Sequence, residues 1–166
     1  MAQSGTAEVD EVMTAVGAAV EQGRAGDKAQ ARAALTRLWG RVGSGGDALH
    51  RCSIAHYLAD LQDAVADELL WDQRALAAVA GLSDERAQQH LASLQVRGFL
   101  PTLHLNLADS YRRVGDRDRA QHQLGLAGEF ADGLPDDAYG SMIRGGILRV
   151  AELLGAGSRE PLTGQP

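Results

Sequence analysis

At 166 residues and a formal charge of −6, with its arginines dispersed among acids, the chain is long enough for one domain with a substantial core, and it lacks the concentrated cationic surface that nucleic acids require. The Ala-, Leu-, Arg- and Gln-rich composition, poor in aromatic residues, favours helix over sheet, and the longest wholly small or apolar run, residues 75–82, falls far short of the roughly 20 residues that cross a bilayer. The single cysteine, Cys52, excludes an internal disulfide, and the start carries no cationic segment followed by a long apolar run, so the expectation is a cytoplasmic protein with neither a nucleic-acid nor a membrane partner.

Residues 1–7 are small and polar and are expected to be disordered, with order beginning near Glu8. Val9, Val12, Met13, Val16, Ala19 and Val20 then share one face of a first helix, which residues 23–27 interrupt. Asp27 is suited to N-cap a second helix carrying Ala31, Ala34, Leu35, Leu38, Trp39 and Val42. The GSGG run at 43–46 ends it. As a phosphate loop that run lacks both a preceding strand and a following Lys.

Asp47 can cap a third helix with Leu49, Ile54, Tyr57, Leu58, Leu61 and Val65, and a fourth runs from Ala66 past Leu69, Leu70, Trp71, Leu76 and Val79 to Gly81. Ser83 begins a short helix with Ala87, Leu91 and Leu94, ending before Gly98. Pro101 stands where helices favour a proline at their start. The short helix is either an insertion or half of a fourth hairpin. A final helix places Tyr139, Met142, Ile143, Ile147, Val150 and Leu154 on one side as a solvating cap, and residues 155–166 are expected to be disordered.

Residues 101–134 carry the clearest pattern. Leu103, Leu107, Ala108 and Tyr111 recur at helical spacing, Gly115 and Asp116 turn the chain, and Ala120, Leu124 and Ala127 resume the period. This predicts an antiparallel hairpin with Tyr111 between its helices, against Ala120 and Leu124. Gly26 and Asp27 precede Ala31 and Leu35 at the same intervals, which makes an internal repeat. In the middle pair Gln62 and Asp63 stand at the turn, and Asp67 replaces the small Ala31 and Ala120, predicting looser packing there.

On these residues the segment resembles a tetratricopeptide repeat, and the composition is of the kind associated with high-GC bacteria. The resemblance implies an all-α, right-handed superhelical array over residues 8–154: about three hairpins, an extra helix and a C-terminal capping helix. It also implies a non-enzymatic module without cofactors, in which the first helix of each hairpin lines a concave groove that receives a peptide or helix of another protein. Aligning the hairpins places Val16, Val20, His56, Asp60, Leu105, Asn106, Asp109, Arg112 and Arg113 in that groove. Of the carboxylate-clamping residues of some family members only Asn106 is kept, with Arg112 and Arg113 nearby. The competing reading of the two arginines is a solvated helix end.

Two other functions are open from sequence. Cys52, His56 and Asp60 follow one another at turns of one helix, as the ligands of a metal or small-ligand site would, whereas His50 points about 160° away from Cys52. Alternatively the chain self-associates as a homodimer through an uncovered end such as the face of the first helix. No nucleophile, base and acid fall together as a hydrolytic triad. Trp39 and Trp71 read as packing residues.

Overall fold

Two Gly-Asp turns with the same backbone chemistry direct the chain. Gly26 has φ +100°, its N–H donates to the Gly23 carbonyl at 3.1 Å, and the Asp27 N–H donates to the Gln22 carbonyl at 3.1 Å. The Asp27 carboxylate then accepts from the Gln30 N–H at 3.2 Å. Gly115, with φ +91°, and Asp116 repeat these bonds to Arg112 and Tyr111, and Asp116 caps onto the Arg119 N–H at 3.1 Å. Glycine enters the left-handed region without a Cβ clash and aspartate supplies the next cap, so one dipeptide closes a helix and opens another. The repeat read from spacing is therefore a repeat in geometry.

The computed structural model describes residues 10–79, 82, 84–85 and 96–162. Among them all regular structure is helical: α1 Glu11–Arg24, α2 Lys28–Val42, α3 Ala48–Asp60, α4 Val65–Val79, α5 Val96–Val114, α6 Arg117–Ala131 and α7 Ala138–Gly155. α1 and α2, α3 and α4, and α5 and α6 pair as hairpins, and each hairpin packs on the next element in sequence. Alternate helices also meet, α1 with α3 and α5 with α7.

The core follows the period. Val16, Ala19, Leu35, Leu38, Ile54 and Leu58 form one cluster, and Leu107, Ala108, Tyr111, Ala120, Leu124, Val150 and Leu154 another. Between them Cys52 and Ala55 of α3 meet Ala75, Ala78 and Val79 of α4 and Leu103 of α5. Tyr111 lies where the period puts it. Its hydroxyl also accepts from Gln73 Nε2 at 2.9 Å, which ties α5 to α4.

Several expectations change. Asp67 does not separate α3 from α4: it is exposed, and that pair closes through the small residues Cys52, Ala55, Ala75 and Ala78. Pro101 does not start a helix, because α5 begins at Val96 and carries the proline inside. The proline forgoes one backbone bond, offset by complete burial of its ring. The face of α1 offered for self-association is turned inward, with Val16 and Ala19 buried in their own core. The last helix is less of a solvating cap than expected: Ile143, Val150 and Leu154 are buried, but Met142 and Leu148 remain 52 % and 73 % exposed.

The C-terminal tail also differs. Gly157, with φ +68°, and Ser158 copy the closing half of the Gly-Asp turn, donating to Leu154 and Leu153 at 3.1 and 2.9 Å. Ser158, Arg159 and Glu160, though not helical, then bond to the end of α5. The expected disordered start at 1–7, the extreme tail at 163–166 and nearly all of the short helix at 84–96 lie outside the described residues.

Candidate functional site

α3, the first turns of α5 and the connection from α6 to α7 surround a cavity of about 890 Å³. Cys52, Ser53, His56 and Tyr57 supply its α3 wall at i, i+1, i+4 and i+5, the spacing that puts four side chains on one face. Phe99, Thr102 and Leu103 of α5 form the facing wall, and Glu129, Phe130, Leu134, Pro135, Asp137 and Tyr139 close one end.

That end is firmly built. The Tyr139 hydroxyl donates to the Gly98 carbonyl at 2.9 Å and pairs with the Thr102 hydroxyl. Phe130 stacks on His104 with centroids 5.3 Å apart, and His104 Nδ1 meets Gln123 Oε1 at 2.7 Å. Arg144 reaches back to the Leu134 and Pro135 carbonyls and to Asp136. Gly140 has no room for a side chain, since a Cβ there would lie 2.1 Å from the Pro135 carbonyl oxygen. The described lining carries two carboxylates, Glu129 and Asp137, and no Lys or Arg.

Of the residues expected in the groove, His56 lines this cavity, and Asn106 Nδ2 reaches His56 Nδ1 at 3.4 Å. The others do not share it. Val16 is buried in the first core cluster, and Val20 is half-buried against that cluster, away from the cavity lining. Leu105 faces α7, where a Cβ on Gly146 would come within 2.8 Å of its Cδ2. Asp60 ends α3 outside the lining.

Asp109, Arg112 and Arg113 are spent on intramolecular pairing. The Arg112 guanidinium, its side chain 1 % exposed, donates to Asp109 at 3.1 and 2.5 Å and to the carbonyls of Ser158 and Glu160 at 2.6 and 2.9 Å. Arg113 pairs with Glu68 at 2.7 Å and Asp109 at 3.7 Å. Arg159 donates to the carbonyls of Arg113 and Val114 at 3.1 and 2.7 Å, satisfying acceptors that the helix end leaves open. The two arginines are thus neither a free clamp nor a solvated helix end. The tail and Asp109 take up the donors of Arg112, and the Glu68 and Asp109 carboxylates those of Arg113.

Cys52, His56 and Asp60, the candidate metal ligands, form no three-ligand cluster among the described residues. His50 is directed to Asp10, with Nε2 2.8 Å from the carboxylate, and thereby ties the starts of α1 and α3. Burial pushes the Cys52 thiol up to about 12, which keeps it a neutral thiol near pH 7. No group of three His, Cys, Asp or Glu side chains among the described residues is arranged to hold an ion.

Composition and spacing missed Asp72. It is almost fully buried between α4 and α5, accepts from Ser110 Oγ at 2.7 Å on one oxygen, and has no partner on the other. Burial raises its carboxyl to about 8, the Ser110 bond opposes this, and the neighbouring Glu68, Asp60 and Asp109 charges raise it further. Glu68 and Asp60 are raised as well, each mainly by burial; Arg113 opposes the shift at Glu68, and His56 and Lys28 oppose it at Asp60. The only legible signal was an acid at a helical position otherwise filled by Ala75 and Val79, one turn and two turns on.

The sign of the linkage follows from the raised value. The native state holds a proton that the unfolded chain releases in the ordinary carboxylate range, so stability falls as pH rises from that range to about 8 and is level above it. Asp72→Asn keeps an acceptor for Ser110 and removes the proton. Urea unfolding should show the variant ~1–3 kcal/mol more stable than wild type at pH 9 and close to it at pH 5. An equal difference at both pH values would mean that Asp72 is ionised throughout.

Comparison with known proteins gives no match to a family model, to a curated protein or to a solved structure.

Proposed function

We propose that this chain is a non-enzymatic, tetratricopeptide-like binding module, a superhelical array of hairpins that holds a peptide or helix of a partner protein in the cavity between α3, α5 and the α6–α7 connection. One observation carries the reading: the four aromatic rings of Tyr57, Phe99, Phe130 and Tyr139 border a cavity of about 890 Å³ whose other polar side chains are Ser53, His56, Thr102, Glu129 and Asp137. Aromatic walls supply apolar burial for an anchor side chain, and sparse polar groups orient its backbone. The carboxylates favour an anchor flanked by Lys or Arg. The site lies further toward the start of α5 than the hairpin alignment implies, because the tail covers the other end.

A second reading, a small apolar ligand in the same cavity, is favoured by the volume, which lies within the ~300–1,000 Å³ of ligand pockets. Peptides selected by display on the full chain, then titrated by fluorescence anisotropy, separate the two. The module reading expects a peptide whose affinity falls at least about tenfold with Thr102→Arg, which fills the mouth, and again with Glu129→Lys, which reverses the rim charge. Peptides that ignore both variants would remove this cavity as their site. Failure of any peptide to enrich, together with thermal stabilisation by small apolar compounds, would favour the second reading.

A further inference from the structure

We infer that α2, α3 and α4 together build a phosphoryl-binding site, away from the cavity, at which the guanidinium groups of Arg51 and Arg74 converge on Trp39 and Trp71. The two indoles pack edge to face, their centroids 5.1 Å apart at 87°. Arg74 lies 4.3 Å from the Trp71 centroid and 5.8 Å from that of Trp39, and Arg51 lies 5.2 Å from Trp39. Four half-buried side chains from three helices thus hold two positive charges beside one aromatic pair.

What is missing from the cluster points to its ligand. Neither guanidinium makes a hydrogen bond or ion pair with any described residue, although acids outnumber bases in the chain, 22 to 16, and the other buried or half-buried guanidiniums among the described residues, those of Arg32, Arg112, Arg113 and Arg144, are paired. Nε of Arg51 is buried with no acceptor, an unmet donor in a folded interior. Stacking holds a guanidinium by its faces and leaves the N–H groups in its plane open to an oxyanion. Two such forks, already immobilised by the rings, match the charge of a phosphate dianion and lose little side-chain freedom in binding it. A single carboxylate would satisfy only one of them. The site therefore takes a phosphate monoester, on a phosphorylated chain or a small molecule.

Trp39 and Trp71 are the only tryptophans, so the intrinsic fluorescence of the full chain reports on this site. Titration with inorganic phosphate and with O-phosphoserine should give a saturable change that serine, acetate and sodium chloride at matched ionic strength do not. Arg51→Gln and Arg74→Gln should each weaken the response about tenfold or more, the loss of a charge-assisted bond. Arg74→Lys, which keeps the charge and loses the planar fork, should weaken it as well, and it decides the matter if the glutamine variants do not fold. A response that is absent, that acetate reproduces, or that has the same midpoint in Arg74→Lys as in wild type would overturn the assignment. A phosphoserine peptide that binds more tightly than free phosphoserine identifies a phosphorylated chain as the source, and equal binding identifies a small ester. Because the cavity contains none of these four residues, Thr102→Arg should leave the fluorescence titration unchanged, which keeps this test separate from that of peptide binding.

Discussion

Tyr111→Ala should destabilise the protein by ~3–5 kcal/mol, as truncation of a buried aromatic ring does when its neighbours cannot collapse. The ring belongs to the cluster formed by Leu107, Ala108, Ala120, Leu124, Val150 and Leu154, so three helices lose a shared contact at once. Its hydroxyl is the acceptor for Gln73, and the variant leaves that amide without its α5 partner. Domains of this size are stable by roughly 5–15 kcal/mol, hence the melting temperature should fall by many degrees. Tyr111→Phe separates the two contributions and should cost only about 1 kcal/mol, the value of one hydrogen bond. Hydrogen exchange should loosen α4 and α7 first and α1 and α2 least, because the latter share no core cluster with the ring. Equal melting of Tyr111→Ala and wild type would place the ring outside the core.

Arg112→Ala is expected to cost a similar ~3–5 kcal/mol, through charge instead of volume. The substitution leaves the buried Asp109 carboxylate with only Arg113, at 3.7 Å, and releases the Ser158 and Glu160 carbonyls, so the tail loses two bonds to α5. Arg112→Lys retains a charge but cannot reach two carbonyls and a carboxylate from one planar group, and should recover only part of the loss. Arg113→Ala should cost ~1–2 kcal/mol, because it leaves Glu68 without its 2.7 Å partner in a half-buried setting. Urea unfolding of the three variants beside the exposed Arg37→Ala, expected within about half a kcal/mol of wild type, ranks them. Limited proteolysis should cut near residues 156–162 sooner in Arg112→Ala, and an unchanged cleavage pattern would mean that the tail holds by other contacts.

The sequence made the helices and most of the core readable, because both depend on local spacing. Apolar residues three and four apart mark the buried faces of α1, α2, α6 and α7, and Gly-Asp marks two turns that share hydrogen bonds as well as letters. The candidate site was legible only in part. His56 was assigned to a groove-facing position because it stands on the first helix of a hairpin, and it lines the cavity. The closed end of the lining comes from residues 129–139, whose position depends on how α7 turns back over α5, a tertiary event without a local period. Arg112 was misjudged for the same reason: nothing in the spacing shows that a segment some 46 residues later will place its carbonyls on that guanidinium. Trp39 and Trp71 do pack as expected, but the arginines that stack on them come from α3 and α4, and charge in an exposed-looking register gave no sign of it.

The central claim, that a partner peptide enters between α3 and α5, is most directly tested by amide hydrogen exchange on the full chain with and without a display-selected peptide. New protection is expected at residues 52–57, 98–103 and 129–139, with α1 and the outer face of α2 unchanged. Protection confined to α1, to the exposed face of α7 around Met142 and Leu148, or to residues 156–162 would contradict it.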